Sequence, residues 1–411
     1  MKNPSPQPSP KTGEGVLAIH GGKPVREKLL PYGRQQISEE DIDAVVNVLR
    51  SDWLTTGPNI EEFENAVAER VDAKYAVAFS SGTAALHGAV FAADLGAGDE
   101  AITSPLTFAA TANCLLYQGA TPIFADVCAD TLTLDPNEIL KQLTPRTKAI
   151  LPVDYAGHPA DLDAIQEIAR EKNVIVIQDS AHALGATYHG KKVGSIADMT
   201  MFSFHPVKHI TTGEGGIITT NSATYYERLK LFRSHGINSD ARKRHEAGIW
   251  FYEMVALGYN YRLTDIGAVL GLSQLKRLDA NLARRREIAA RYTNVFAELD
   301  EIVVPHVRAD VEPAWHLYPI QVKSEKLKAK NGRGEIFRAL RAENIGVNVH
   351  YIPVHLHPYY RERFGYRGGE YPNAECAYEG LISLPMFHAM TDEDAKDVVR
   401  AVEKVMGAYA T

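Results

Sequence analysis

Cysteine is scarce. The 411 residues contain only Cys114, Cys128 and Cys376, an odd number set far apart. That excludes a disulfide framework and any zinc-type spacing, and reads as reduced thiols in a cytosolic protein. Long apolar runs are also missing, and none approaches the ~18 residues of a membrane span. There is no basic excess: 44 Lys and Arg stand against 51 Asp and Glu, a net charge of -7 with a pI near 6.1. A nucleic-acid partner would call for a clustered basic face, so none is expected. Residues 1–15 are polar and rich in proline, serine and lysine. They lack the apolar core of a signal peptide and read as a flexible tail on a cytoplasmic protein.

What is present is ordinary globular composition, 45% hydrophobic and 23% charged, enough for a large core. Short apolar runs at 75–79, 100–104, 121–125, 148–153, 174–178, 199–203 and 216–220 read as buried strands. Helical patterns lie between several of them, at 83–95, 108–118 and 161–172. Strand and helix in alternation imply an α/β fold, a mostly parallel sheet covered by helices on both faces. The stretch 274–299 reads as one long charged helix, followed by mixed elements at 315–322, 336–343, 347–351 and 392–408. The expected organisation is a tail (1–15), a large domain (16–272) and a smaller α+β C-terminal domain (273–411).

In such sheets ligands sit beyond the C-terminal ends of the strands. The chemically notable residues fall there: 80–83, 107–108, 154–155, 179–182 and 203–208. Lys208 lies between an apolar run and a turn rich in glycine and threonine, in Phe202-Ser-Phe-His-Pro-Val-Lys208-His-Ile-Thr-Thr-Gly-Glu-Gly-Gly216. An amine held in such a loop can form an imine with an aldehyde. Upstream, Asp179 ends the apolar run Val174-Ile-Val-Ile-Gln178. A lysine of this kind, with a carboxylate able to face a pyridinium nitrogen, is what a protein supplies to use pyridoxal phosphate. Taken singly each residue has a bland reading. Lysine is usually solvated, and Asp179-Ser-Ala-His182 is also a helix start with an acidic N-cap. It is the pairing that points to the cofactor.

Ser80-Ser-Gly-Thr83 follows a strand and opens a helix, so the N–H groups of Gly82 and Thr83 suit a phosphate. Ser203 is a further phosphate contact or a satisfied strand-end serine. Phe108 is placed to lie on the cofactor ring, though a lone phenylalanine is more often core. His182 is placed to face the cofactor's phenolic oxygen, or is a buried histidine. His350, His355 and His357 crowd Val349-His-Tyr-Ile-Pro-Val-His-Leu-His-Pro-Tyr-Tyr360. The His-x-His pair invites a metal, but no carboxylate or cysteine lies within that stretch. A polar, aromatic pocket loop is the better reading, and no metal is expected.

Five stretches carry a resemblance: Ser80-Ser-Gly-Thr-Ala-Ala-Leu86, Asp179-Ser-Ala-His182, Ser203-Phe-His-Pro-Val-Lys208, Thr212-Gly-Glu-Gly-Gly216 and Gly258-Tyr-Asn-Tyr-Arg-Leu-Thr-Asp265. Together they resemble the sugar aminotransferases of the aspartate-aminotransferase superfamily, pyridoxal-phosphate enzymes of fold type I that act on keto-sugar nucleotides. The resemblance runs from about residue 30 to the C-terminus. His350-Tyr-Ile-Pro-Val-His-Leu-His-Pro-Tyr-Tyr360 and Leu381-Ile-Ser-Leu-Pro-Met-Phe-His388 are most similar to the branch that serves pseudaminic acid biosynthesis and flagellin glycosylation. That branch moves the amino group of glutamate to UDP-2-acetamido-2,6-dideoxy-β-L-arabino-hexos-4-ulose, giving UDP-4-amino-4,6-dideoxy-N-acetyl-β-L-altrosamine. The resemblance implies a homodimer with shared active sites, in which Asn260 reaches the phosphate of the partner's cofactor. It also implies substrate contacts from the loop around Thr56 and from Arg262, His316 and Tyr351. Another keto-sugar aminotransferase, dTDP-linked or of different stereochemistry, and a pyridoxal-phosphate sugar dehydratase are the alternatives. Relatives that became dehydratases carry histidine in place of the lysine, so Lys208 favours transamination. His209 departs from the proline pictured at that position in the branch, and residues 1–15 have no counterpart in the pattern.

Overall fold

The structure, a computed structural model, describes residues 16–239, 241–329 and 332–411; the tail expected at 1–15 lies outside them. The seven apolar runs become one sheet. Its strands are β1 (Tyr75–Phe79), β2 (Glu100–Thr103), β3 (Thr121–Phe124), β4 (Thr147–Leu151), β5 (Ile175–Asp179), β6 (Met199–Ser203) and β7 (Gly216–Thr220). They lie in the order β1-β7-β6-β5-β4-β2-β3. All neighbouring pairs are parallel except those of β7, which runs antiparallel to β6 and β1. The connection explains the exception. Residues 204–215 contain no crossover helix, so the chain can only return alongside β6 in the opposite direction. β1 then runs parallel to β6, which brings the C-terminal ends of β1, β5 and β6 to one edge.

Helices cover the sheet. α1 (Gly82–Ala92) is buried along most of its length, and its N-cap Ser81 accepts the Ala84 N–H at 3.1 Å. α2 (Ala110–Tyr117) starts later than the pattern suggests, leaving Phe108 in the turn before it. The Phe108 carbonyl accepts the backbone N–H of Thr111 at 3.2 Å. α3 (Leu162–Lys172) buries Leu162, Ile165, Ile168 and Ala169 and stops at Asn173 in the left-handed conformation.

The long helix expected over 274–299 is α5 (Leu278–Phe296), and residues 274–275 belong instead to the end of the preceding helix, α4 (Asp265–Leu275). Tertiary contacts override the helical pattern at the break. Arg277 donates to Ser38 and to the buried Asp41 carboxylate, which also accepts from Gln274. α5 then spans two cores. Leu278 and Leu282 pack with Phe63, Phe202 and Phe204, whereas Ile288, Tyr292 and Phe296 pack with the C-terminal elements.

Those elements are an antiparallel sheet of β8 (Ile302–Val303), β9 (Tyr318–Val322) and β10 (Leu381–Leu384), with α6 (Arg333–Ala342) and α7 (Asp392–Tyr409) packed on it. A capping box of Thr391 and Asp394 starts α7. Leu17 and Leu30 join this core, and Leu30 bridges to Ile345. The segment 347–351 makes one bridge, Asn348 to Ser383, and otherwise runs as loop into the cavity described next.

Candidate active site

Adjacent strands β5 and β6 end at Asp179 and Ser203, and α1 opens just beyond β1 on the same edge. Between them lies a cavity of about 520 Å³, within the range of a small-molecule site. Gly82, Thr83, Phe108, Asp179, His182, Ser203, Lys208, His316 and Tyr351 all line it.

Asp179 is buried, which pushes its carboxyl above the usual carboxylate range. Oδ2 accepts the Thr111 hydroxyl at 2.7 Å, and that hydroxyl lies 2.8 Å from the Thr107 hydroxyl. Oδ1 accepts the Ala181 N–H at 3.1 Å. That bond closes a turn, so Asp179 does not cap a helix. Behind it, Asp154 accepts from Ser180, Gln178 and Ala160, and burial raises its carboxyl to about 7. Tyr155 donates to the His350 carbonyl at 2.5 Å. Both 154 and 155 therefore brace the site from outside the cavity lining.

Lys208 points its Nζ to within 3.3 Å of His316 Nε2. Burial pushes its ammonium down to about 7; Asp179 works against that shift and Arg285 adds to it. What exposure the side chain keeps is toward the cavity. His182 and His316 lie against each other with ring centroids 4.4 Å apart and planes tilted by 39°, and the Tyr351 hydroxyl lies 3.0 Å from His182 Nε2. Burial holds both imidazoles well below their ordinary pKa, so His316 offers hydrogen bonds rather than the positive charge of an anion-binding group.

At the other wall, the first-turn N–H groups of α1, which a helix cannot bond internally, face the cavity at Gly82 and Thr83 beside Ser203. The approach is close. A Cβ on Gly216 would lie 2.6 Å from Gly82 Cα, and one on Gly82 would lie 3.3 Å from the Ser203 side chain.

Thr56, Asn260 and Arg262 are not in this cavity. The loop carrying Thr56 is tied to Thr264 and Asp265, the residues just after Arg262. The buried Asp265 carboxylate accepts from the N–H groups of Gly57 and Asn59, its own N–H donates to the Leu54 carbonyl, and Thr55 bridges to Thr264. Asn260 is exposed and pairs with Ser234. The three crowded histidines go to three places. His350 lines the cavity and His357 caps the helix Pro358–Phe364. His355 lies with Glu370 and Glu375 in a group whose ligand-type atoms are within 4.8 Å of one another. Those carboxylates come from outside the histidine stretch and already accept N–H groups of Arg367, Gly368, Gly369 and Tyr371.

Sequence reasoning missed Tyr32, Thr111 and Asn348. Thr111 had a signal, a polar residue about one helical turn past Phe108 in a mostly apolar helix. Tyr32 and Asn348 arrive only through tertiary folding.

Residues 35–403 match the DegT/DnrJ/EryC1/StrS aminotransferase family. The chain belongs to that family. It is 44% identical to the spore coat polysaccharide biosynthesis protein SpsC of Bacillus subtilis, over 93% of this chain and 98% of that protein. Its fold superposes on PseC of Helicobacter pylori, an aminotransferase involved in pseudaminic acid biosynthesis, with a TM-score of 0.86 and 34% identity over 93% of this chain and 100% of the other. The sugar aminotransferase Spr1654 of Streptococcus pneumoniae, in its pyridoxal phosphate form, gives 0.85 and 33% over 92% and 99%. Spr1654 is also solved in a pyridoxamine phosphate form. As a DegT/DnrJ/EryC1/StrS aminotransferase the protein is a pyridoxal-phosphate-dependent enzyme of fold type I. The cavity fits that group, with an anion-accepting helix start at one wall, a buried carboxylate at another and a lysine amine between neutral imidazoles.

Proposed function

We propose that this aminotransferase moves the amino group of glutamate to the C4 ketone of a UDP-4-keto-6-deoxy-N-acetylhexosamine. The product is UDP-4-amino-4,6-dideoxy-N-acetyl-β-L-altrosamine, for pseudaminic acid synthesis. The observation that carries the chemistry is the placement of Lys208 and Asp179 in one cavity, with burial bringing the lysine ammonium down to about 7 so that the free amine is accessible near neutral pH. Similarity to PseC supports the substrate.

Bound pyridoxal phosphate supplies an electron sink that lets the carbon beside an amino group lose its proton. Asp179 holds the ring-nitrogen end, steadied by Thr111. Gly82, Thr83 and Ser203 would hold the phosphate, and Phe108 and His182 would contact the ring, His182 on the side of its phenolic oxygen. Lys208 anchors the group and, once free, its amine takes the proton from the α-carbon of glutamate. In the second half-reaction Lys208 returns a proton to C4 of the sugar. Tyr351 and His316 contact substrate from the cavity, and Thr56 and Arg262 from the adjoining surface. The protein works as a homodimer in the cytoplasm, and Asn260 completes the phosphate site of the second copy. The boundary between the cofactor-binding and C-terminal domains lies near residue 272.

A second reading has support in the higher identity to SpsC: a keto-sugar nucleotide of other base or stereochemistry. The test is a coupled assay over UDP- and dTDP-linked 4-keto sugars with glutamate, product configuration being read by NMR. Turnover of the UDP-linked L-arabino-hexos-4-ulose supports the first reading. Turnover confined to dTDP-linked sugars overturns it.

A further inference from the structure

His209 and Arg285 are buried, lie outside the cavity lining, and have no part in the chemistry above. His209 Nε2 donates to the Ala314 carbonyl at 3.0 Å. Arg285 has no carboxylate partner among the described residues. Its Nη1 donates to the carbonyls of Trp315 at 3.0 Å, His316 at 3.3 Å and Met386 at 3.0 Å. Three successive carbonyls, 314 to 316, are thus gripped by two side chains. The N–H groups of the same segment are bonded from the other side. Ala314 N donates to the Gly157 carbonyl and His316 N to the Ala156 carbonyl. Trp315 sits at φ +50°, a conformation a non-glycine residue keeps only when its surroundings hold it. The one side chain this segment aims at the site is His316, 3.3 Å from Lys208 Nζ.

We propose that His209 and Arg285 are positioning residues that clamp the 314–316 segment and so fix the His316 imidazole as the hydrogen-bond acceptor of the free Lys208 amine.

This rests on Lys208 being the catalytic base. An unclamped wall would let the imidazole drift and admit water to the lysine. The charged and titratable groups around that amine are Asp179 from β5, Arg285 from α5, and the imidazoles of His182, His209, His316 and His350, with His205, Glu214 and Tyr351 further along the cavity lining. Among the charged groups Asp179 alone favours the ammonium, the neutral His316 acceptor favours it more weakly, and burial is the largest influence against it. Water admitted by a loosened clamp relieves that burial and so raises the pH at which the amine loses its proton. The arrangement also gives His209 a purpose that proline, lacking a donor side chain, cannot serve.

The test compares His209→Ala, His209→Gln, His316→Ala and the double variant His209→Ala/His316→Ala with the parent protein. In the cofactor-free proteins, Lys208 acetylation by limiting acetic anhydride is followed against pH by peptide mass spectrometry. The titration midpoint is expected to rise by about half a unit or more in His209→Ala and to return in His209→Gln, whose amide can reach the same carbonyl. In the holoenzymes, turnover with glutamate is expected to fall about 10- to 100-fold in His209→Ala with little change in KM. In the His316→Ala background the same change is expected to add less than about threefold, because the two act in series. An unmoved midpoint, or fully additive losses, overturns the clamp while leaving Lys208 as base. If His209→Ala does not fold, His316→Ala decides alone: a midpoint equal to the parent's overturns the proposal. Full activity of Lys208→Ala would overturn the underlying reading instead.

Discussion

The Thr111 hydroxyl donates to Asp179 Oδ2 at 2.7 Å, joining the first turn of α2 to the end of β5. It is one of two hydrogen bonds that favour the charged form of a buried carboxylate whose pKa burial raises. Thr111→Val keeps the shape and removes the donor. A hydrogen bond to a charged group contributes about 1.5–3 kcal/mol, so pyridoxal phosphate affinity should fall roughly 10- to 100-fold. Fluorescence titration of the cofactor-free protein measures this. An unchanged Kd would show that Asp179 does not act on the cofactor through its charge.

The cofactor-free protein should lose stability as pH falls from about 6.5 toward 4.5. His182, His209 and His316 are held well below their ordinary value, and His87, His350 and His388 near 4. In that window the unfolded chain takes up protons that these folded imidazoles refuse. Asp154 and Asp179, both raised, work the other way but are fewer. Each unopposed group contributes about 1.4 kcal/mol per pH unit at most. Thermal melts across the window should show Tm falling with pH, and a flat or rising Tm would contradict the neutral-imidazole picture.

The segment after the Ala241–Glu246 helix exposes a run of large apolar side chains. Trp250 is 84% exposed, Leu257 73% and Met254 66%. Patches of this kind on a soluble chain mark interaction surfaces. The segment leads directly into Asn260, assigned above to the second copy's phosphate site. Trp250→Asp combined with Leu257→Asp should convert dimer to monomer in light scattering and lower activity with it. A dimer that survives both changes would place the interface elsewhere.

The sheet was largely legible in the sequence because buried strands are short apolar runs bounded by turn residues, and all seven runs became strands within a few residues. The antiparallel course of β7 was not, since direction depends on the missing crossover rather than on composition. Lys208, Asp179 and the Gly82–Thr83 helix start were legible because each sits at the end of an apolar run. Tyr32, Asn348 and the hydrogen bonds that hold residues 314–316 were not. Their roles come from contacts between distant segments that leave no local pattern. The break at Arg277 was hidden for the same reason, its cause being the buried Asp41 more than 200 residues away.

Lys208→Ala should abolish turnover while the protein still retains cofactor through its phosphate contacts, since the helix start and Asp179 remain. Absorbance of the cofactor-retaining variant, followed on adding glutamate, checks both halves of that statement. Normal turnover would remove Lys208 from the reaction.

The most direct measurement is borohydride reduction of the purified holoenzyme, then digestion and peptide mapping. A pyridoxyl group on the peptide carrying Lys208, at one per chain, is the expected result. A tag on another lysine, or none, would contradict the central claim.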